Sequence, residues 1–241
     1  MREKMKITIL ENGPYLVEGN VPLAEKINVL QGRRLHRFID GRPLPQAETY
    51  RLCRCGLSKT PPFCDGAHAH GDFDGTETAS VKSYRERAKA VEGPELTMLD
   101  DGRCALSKFC HRQKGNAWTL TLTSNFEDCR DEAIHAACDC PTGRLTPLDQ
   151  DGNEIENNYQ PSIDIMQEPL VGVSGGIFVK GGIPLFSASG KIYETRNRYV
   201  LCRCGKSYNK PFCDGIHVSA GFLDQGRPEK AKRLFRKKNN V

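Results

Sequence analysis

Three cysteines and one histidine occur twice in this sequence with identical spacing, C-x-C-x8-C-x3-H. The first set is Cys53, Cys55, Cys64 and His68, and the second, 149 residues further along, is Cys202, Cys204, Cys213 and His217. Three thiolates and one imidazole complete the inner shell of a tetrahedral soft-metal site. Each set therefore predicts a zinc ion or a 2Fe-2S cluster, and the spacing alone does not separate the two.

Local sequence around each set favours a compact site. The first two cysteines flank one residue and are followed by glycine, which suits a tight turn that brings both sulfurs to one metal. The third cysteine and the histidine are four residues apart, so one helical turn presents both on the same face. Asp65 and Asp214 stand where a carboxylate caps that turn, and Gly66 and Gly215 allow close approach of the backbone.

A third group of cysteines lies between the repeats. Cys104 and Cys110 are spaced C-x5-C, and a Cys140-Pro141 pair follows. This is the C-x2-C-x2-C pattern of low-potential ferredoxins with Ser107 in place of the middle cysteine. Three cysteines suit a 3Fe-4S cluster, or a 4Fe-4S cluster with an external fourth ligand. Cys129 and Cys138 are open as a fourth ligand, although a free cysteine is more often simply buried.

Composition limits where such a protein works. The 241 residues include eleven cysteines, an odd number, and no apolar run long enough for a membrane span or a secretory signal. We therefore expect the reducing cytoplasm, where spaced cysteines bind metals more often than they form disulfides. The block of basic residues from Lys230 to Lys238 is interpreted as a solvated tail, because no motif for stacking on or reading nucleic acid bases accompanies it.

The repeat extends beyond the cysteines to the strands that must position them. Residues 13–23 (GPYLVEGNVPL) align without a gap to residues 175–185 (GGIFVKGGIPL). In these segments YLV and IFV predict short strands, and Tyr50 to Leu52 and Tyr199 to Leu201 predict strands that lead into each cysteine set. The first repeat is longer, and we assign the difference to extra loop residues such as Arg33, Arg34 and His36.

The segment between the repeats has its own pattern. Trp118 to Thr123 alternates apolar and polar residues, which predicts a half-buried strand, and Glu127 to Ala137 predicts a short helix. The expected organisation is a first module over residues 1–80, an insert over 81–171, and a second module with the basic tail over 172–241.

The doubled motif CRCGxSxxxPFCDGxH resembles the CDGSH iron-sulfur domain of the NEET, or mitoNEET-like, family at every defined position. The resemblance implies a 2Fe-2S cluster in each repeat. Cys53 and Cys55 would hold one iron and Cys64 with His68 the other, and Cys202, Cys204, Cys213 and His217 would do the same. The serine in the family's name is Ala67 in one repeat and Ile216 in the other, a position that is not a ligand.

The same resemblance implies the fold class. Short members of the family dimerise by exchanging strands of a β-cap, so this chain is expected to be an α+β protein whose two small β-rich modules form an intramolecular pseudo-dimer. The middle segment, roughly from Arg87 to Leu148, resembles the divergent mono-cluster ferredoxin-like domain, which is similarly α+β. The chain is then expected to be a monomer with internal pseudo-two-fold symmetry.

Three functions fit these features. The leading hypothesis is an electron-transfer protein with two 2Fe-2S clusters and a third 3Fe-4S cluster, acting on redox partner proteins. The alternative is storage or transfer of clusters to apo-acceptors, or redox sensing, since histidine ligation makes a cluster sensitive to acid. A zinc-stabilised interaction module is the third. No nucleophile motif or cofactor fingerprint appears, so we do not expect an enzyme, a membrane protein or a nucleic acid binder.

Overall fold

The computed structural model describes residues 5–224 and contains twelve strands, four short α-helices and one 3-10 turn in that range. The strands are β1 (Lys6–Ile9), β2 (Tyr15–Glu18), β3 (Leu23–Gln31), β4 (Leu35–Asp40), β5 (Thr49–Leu52), β6 (Lys89–Glu92), β7 (Thr97–Asp100), β8 (Leu145–Leu148), β9 (Ser162–Glu168), β10 (Val173–Lys180), β11 (Leu185–Phe186) and β12 (Arg198–Leu201). The helices are α1 (Tyr84–Arg87), α2 (Ala117–Thr121), α3 (Glu127–Cys138) and α4 (Ile216–Ser219), and the 3-10 turn spans Ala67–His70.

One strand of each repeat pairs with a strand in the sheet of the other repeat. Strands β1, β2 and β5 pair antiparallel in the first repeat, and β9, β10 and β12 do so in the second. Strand β11 of the second repeat then joins β1 in parallel, with Leu185 opposite Ile7. Reciprocally, β3 of the first repeat joins β9, with Leu23 opposite Ile163. This exchange confirms the expected α+β fold with a β-cap pseudo-dimer inside one chain.

The exchanged strands close a single core between the two sheets. Side chains from β1, β2, β9 and β10 point into it from both repeats, and Ile7, Val17, Ile163 and Val179 are completely buried. Burying an aliphatic side chain contributes about 1.5–3 kcal/mol, so neither repeat keeps this stabilisation without the other. The predicted strands at YLV, IFV and before each cysteine set are confirmed.

The additional residues of the first repeat form a hairpin rather than a loop. Strand β3 continues past the cap and pairs antiparallel with β4, so that Leu30 lies opposite His36 at the edge of the second sheet. Arg33 and Arg34 occupy the turn, and only His36 of the three residues that we assigned to a loop lies in a strand.

The insert has a separate core made by the β6-β7-β8 sheet and helices α2 and α3. Helix α3 confirms the prediction for Glu127 to Ala137. The predicted strand from Trp118 to Thr123 is wrong, because the segment begins with the helix α2. The Asn116 side chain accepts a hydrogen bond from the Thr119 amide, and the Thr121 hydroxyl donates to the Ala117 carbonyl, so local side-chain bonds favour a helical turn.

The boundaries of the insert differ from the expected ones at its end. Strand β9, which a boundary after residue 171 assigns to the insert, pairs with β10 and belongs to the sheet of the second repeat. Among residues 5–224 no helix is long and apolar enough to cross a membrane. The basic segment Lys230 to Lys238 lies outside the described residues.

Candidate metal centres

In both repeats the four sequence-predicted ligands come together as two pairs. The sulfur atoms of Cys53 and Cys55 are 3.6 Å apart, and those of Cys202 and Cys204 are also 3.6 Å apart. The second pair of each site joins the third cysteine to the histidine. The Cys64 Sγ lies 3.4 Å from the His68 Nδ1, and the Cys213 Sγ lies 3.4 Å from the His217 Nδ1.

Hydrogen bonds from backbone amides to the motif's aspartate fix the geometry of each site. The Asp65 carboxylate accepts from the Lys59 amide at 2.7 Å and from the Ala67 amide at 3.1 Å, so it ties the cysteine loop to the turn that carries the histidine. Asp214 makes the same two bonds to the Tyr208 and Ile216 amides. The expected capping role of the two aspartates is therefore observed as a backbone clamp.

The motif's serine holds the loop closed from the other side. The Ser58 hydroxyl donates to the Phe63 carbonyl at 2.6 Å, and Ser207 donates to the Phe212 carbonyl at 2.7 Å. Gly56 and Gly205 adopt φ of +77° and +78°, a turn that other residues adopt only with strain. The repeated residues other than the ligands thus hold the loops in shape.

The paired arrangement fits two metal ions better than one. Over the described range, no three histidine, cysteine, aspartate or glutamate side chains converge to hold a single ion. A closed zinc site gathers four ligands around one centre, whereas a 2Fe-2S cluster takes one pair of ligands at each iron. The residues present therefore fit a 2Fe-2S cluster in each repeat.

In each cysteine pair, the pKa of one thiol is lowered and the pKa of the other is raised. The hydrogen bond shared with Cys55 lowers the pKa of Cys53 to about 6, and the same bond together with burial raises the pKa of Cys55. Cys202 and Cys204 repeat this division. A proton between two sulfurs stabilises one thiolate, so only a cation keeps both cysteines of a pair deprotonated.

Beneath each cysteine pair lies a buried arginine that the sequence analysis left unassigned. Arg54 and Arg203 are the middle residues of the two CRC triplets, and both side chains are almost completely buried. The Nε of Arg54 donates to the Gly13 carbonyl at 2.8 Å, and that of Arg203 donates to the Gly175 carbonyl at 2.9 Å. The repetition of CRC was the signal that these residues share a role.

The middle cysteines line one pocket. Cys104, Cys110 and Cys140 face it together with Trp118 and Arg144. Burial first, and then the nearby charges of Cys140 and Cys104, raise the pKa of Cys110 to about 12. Three cysteines that line one pocket fit a cluster of several irons in which each protein ligand binds a different iron.

The other candidates in the insert differ in their position. Ser107 also lines this pocket, and its hydroxyl donates to the Glu168 carboxylate at 2.7 Å. Cys138 is buried at the end of α3, where its sulfur is 3.4 Å from the Ile155 carbonyl. Cys129 packs against the core of the insert. The structure brings neither Cys129 nor Cys138 to the lining of the pocket.

The three sites form a continuous series of contacts. A Cβ at Gly56 would lie 2.6 Å from the carbonyl oxygen of Cys204, and one at Gly205 would lie 2.4 Å from that of Cys55. The two cysteine loops therefore touch reciprocally, as expected for a two-fold contact. A Cβ at Gly215 would lie 2.6 Å from Leu106 in the cysteine loop of the insert.

The first repeat leaves the corresponding face open. Gly66 occupies the position of Gly215, yet no atom lies within 4 Å of a Cβ built on it. His68 is partly exposed, whereas His217 is only 2% exposed beneath the insert. The Nε2 of His217 is 3.7 Å from the Glu168 carboxylate. The insert thus covers the second site alone.

Fold and sites together define the class of this protein, a strand-exchanged pseudo-dimer of two metal-binding modules. Residues 12–69 and 174–218 both match the family described as "Iron-binding zinc finger CDGSH type". These two segments belong to that family, which makes the chain an iron-sulfur protein with two CDGSH-type domains. Comparisons with curated proteins and with solved structures gave no match.

Proposed function

We propose that this protein carries single electrons between partner proteins through two 2Fe-2S clusters and a third cluster in the insert. The observation that supports this role is the unbroken contact between sites. The two CDGSH loops touch through Gly56 and Gly205, and the insert's loop touches the second site at Gly215. Sites that share contacts through backbone suit electron transfer within one molecule.

The ligand assignment follows the pairing. In the first site Cys53 and Cys55 hold one iron, and Cys64 with the His68 Nδ1 holds the other. In the second site Cys202 and Cys204 pair in the same way, as do Cys213 and His217. Cys104, Cys110 and Cys140 hold the third cluster, a 3Fe-4S cluster, with a 4Fe-4S cluster and an external ligand as the alternative. When bound, such clusters supply one-electron oxidation and reduction.

The surroundings of the first site favour it as the point of exchange with partners. Its histidine is partly exposed and its Gly66 face is uncovered, whereas the second site lies under the insert. The partners are redox proteins rather than membranes or nucleic acids, and the chain acts as a carrier and not as an enzyme. The spacing of the cysteines favours a reducing compartment such as the cytoplasm, where such cysteines bind metals more often than they form disulfides.

Exposure of His68 also supports a second candidate function, donation of a cluster to an apo-acceptor. A ligand that is open to water on one side is more easily protonated and displaced than a buried one. On this alternative only the first site would give up its iron. A zinc-stabilised module fits less well, because the ligands are arranged in pairs.

Anaerobic purification followed by iron and sulfide analysis and EPR tests the cluster content. About seven irons per chain indicate two 2Fe-2S centres and a 3Fe-4S centre, and about eight indicate two 2Fe-2S centres and a 4Fe-4S centre. About four irons per chain would mean that the insert holds no cluster. Cys110→Ser should lose the irons of the insert only, while Cys138→Ser, as the matched control, should keep all of them. A colourless protein that contains zinc would refute the proposal.

A second measurement separates electron transfer from cluster transfer. The reduced protein is mixed with an oxidised ferredoxin, and in a parallel sample with the same ferredoxin lacking its cluster. Reduction of the first acceptor without loss of iron from the donor supports electron transfer. Loss of donor colour with appearance of holo-acceptor supports cluster donation instead.

A further inference from the structure

The two CDGSH sites differ in the charge buried beside them. Their arginines are equivalent, since the Arg54 guanidinium lies 5.2 Å above the ring of Phe73 and the Arg203 guanidinium lies 5.2 Å above that of Phe222. Each phenylalanine follows the third cysteine of its site at the same distance in sequence. The two environments can therefore be compared residue by residue.

Among the described residues, only the second arginine pairs with a carboxylate. Asp224 binds Arg203 with an Nη1 to Oδ2 distance of 2.7 Å, and both side chains are 1% exposed. The residue at the same place in the first repeat is Gly75. Consequently the Nη1 of Arg54 is buried and has no hydrogen-bond partner among residues 5–224. The first site therefore keeps a buried positive charge that the second site has neutralised.

A second carboxylate also lies beside the second site alone. Glu168 ends β9, and its Oε2 is 3.7 Å from the His217 Nε2. Ser107 of the insert fixes the other oxygen at 2.7 Å. In the first repeat the chain turns back at once after β1, where the Leu10 amide donates to the Pro14 carbonyl, so this repeat has no segment equivalent to the end of β9.

Surface charges do not cancel this difference. Each site has two cations nearby in sequence, Arg51 and Lys59 for the first and Lys206 and Lys210 for the second. The first site also has the exposed Asp74, whose carboxylate interacts with the charge of Arg54. Charges in water are screened over about 10 Å at ordinary ionic strength, whereas buried charges act at low effective dielectric constant. The two buried carboxylates therefore dominate the comparison between sites.

We propose that the first site has the higher reduction potential, because Asp224 and Glu168 place two additional negative charges beside the second. A negative charge, like burial, disfavours the added electron, and the second site is also the more buried one. One electron supplied by an iron-sulfur or flavin donor protein then resides on the first site. The donor loses one electron and the site gains one.

The inference rests on the proposed electron-transfer function and gives it a direction. Electrons that reach the second site pass to the first site, which has the higher potential and is the one open to partners. Glu168 and Asp224 act on the potential without touching the irons' ligand set, apart from the contact of Glu168 with the far nitrogen of His217.

An anaerobic redox titration of the full chain tests this order by absorbance and EPR. The wild type should show two separate one-electron couples for the CDGSH sites. Single His68→Cys and His217→Cys variants assign them, since each shifts only its own couple. We expect the lower couple to respond to His217→Cys. Assignment of the lower couple to His68→Cys, or two couples of equal potential, would overturn the inference.

The carboxylates are tested by the isosteric variants Asp224→Asn and Glu168→Gln. Each should raise the lower couple by at least a tenfold change in the one-electron equilibrium, about 59 mV, and leave the upper couple in place. Asp128→Asn, which removes an exposed carboxylate on α3 that pairs with Lys114, serves as the control. Unchanged potentials in both variants at full iron content would reject the role of the carboxylates.

Failure of the proposed electron-transfer function gives a different result from failure of the order of potentials. A protein with the expected potentials that reduces no acceptor would contradict electron transfer and leave the order of potentials standing. Asp224→Asn or Glu168→Gln could lose iron and so give no potential. In that case His68→Cys and His217→Cys still assign the two wild-type couples and decide whether the first site has the higher potential.

Discussion

Gly56 packs directly against the peptide carbonyl of Cys204, so closely that a single methyl group would lie 2.6 Å from its oxygen. The reciprocal contact joins Gly205 to Cys55. Because both loops carry metal ligands, the distance between the two sites depends on the absence of a side chain at these two positions. Motif residues that resemble simple turn glycines thus form the interface of the pseudo-dimer.

Substitution at this interface should be more costly than at the open glycine. Gly56→Ala introduces a steric overlap with a backbone atom in addition to strain at positive φ, whereas Gly66→Ala introduces strain alone. We expect a loss of about 1–2 kcal/mol in unfolding free energy for Gly66→Ala and a further 1–3 kcal/mol, roughly, for Gly56→Ala. Urea titrations monitored by circular dichroism measure both, and equal losses would contradict the close contact.

The acid sensitivity of the two CDGSH sites should differ. Ligation requires an unprotonated imidazole, and protons reach the partly exposed His68 more readily than the buried His217. Visible absorbance should therefore decay in two phases, both faster at about pH 5.5 than at about pH 8. His68→Cys should remove the fast phase and His217→Cys the slow one. A single phase that neither variant changes would exclude histidine protonation.

Arg198 should couple the insert to the second repeat. Its fully buried guanidinium donates to the carbonyl oxygens of Cys140 at 2.8 Å, Ala137 at 2.9 Å and Leu145 at 3.0 Å, and it pairs with Glu156. Arg198→Met leaves these acceptors unpaired, which we expect to cost about 3–5 kcal/mol.

The only tryptophan, Trp118, lies in the insert, so its fluorescence reports the unfolding of that segment. In Arg198→Met the fluorescence transition should precede the transition seen by circular dichroism. Arg37→Met, at an exposed strand position, is the matched control. Coincident transitions in Arg198→Met at the midpoint of the control would contradict the coupling.

Asp100 should stabilise the insert in a manner that depends on pH. Burial would raise the pKa of Asp100, but hydrogen bonds and charge from Arg144 outweigh it and hold the pKa below its usual value. The stabilisation is therefore complete above the unfolded pKa of about 3.9 and is lost as the pH falls through the lower folded pKa. Asp100→Asn should reduce stability at neutral pH by about 1–3 kcal/mol and much less in strong acid.

Fluorescence of Trp118, whose indole nitrogen donates to Asp100 at 3.0 Å, follows this effect directly. Asp128→Asn removes an exposed carboxylate that pairs with Lys114 and should change little. An Asp100→Asn variant as stable as Asp128→Asn at neutral pH would show that the Arg144 pair contributes nothing.

Short-range patterns predicted much of the candidate sites. The spacing within each CDGSH motif predicted that the first two cysteines lie together and that the third cysteine lies beside the histidine, and the structure has them so, because a turn of a few residues leaves the chain few alternatives. The same reasoning failed at Trp118 to Thr123, where alternating threonines imitate a strand. There the Asn116 cap and hydroxyl bonds to helix carbonyls decided the conformation, and pattern alone does not weigh those bonds.

The sequence by itself determined that the chain holds two near-identical metal sites and a third set of cysteines, because ligand type and spacing are local properties. Only the tertiary structure decided that the two sites are unequal. Glu168, held by Ser107 of the insert, approaches His217, and Asp224 packs back against the buried Arg203. Such contacts join residues far apart in the chain, and packing of the whole core, not spacing, brings them together.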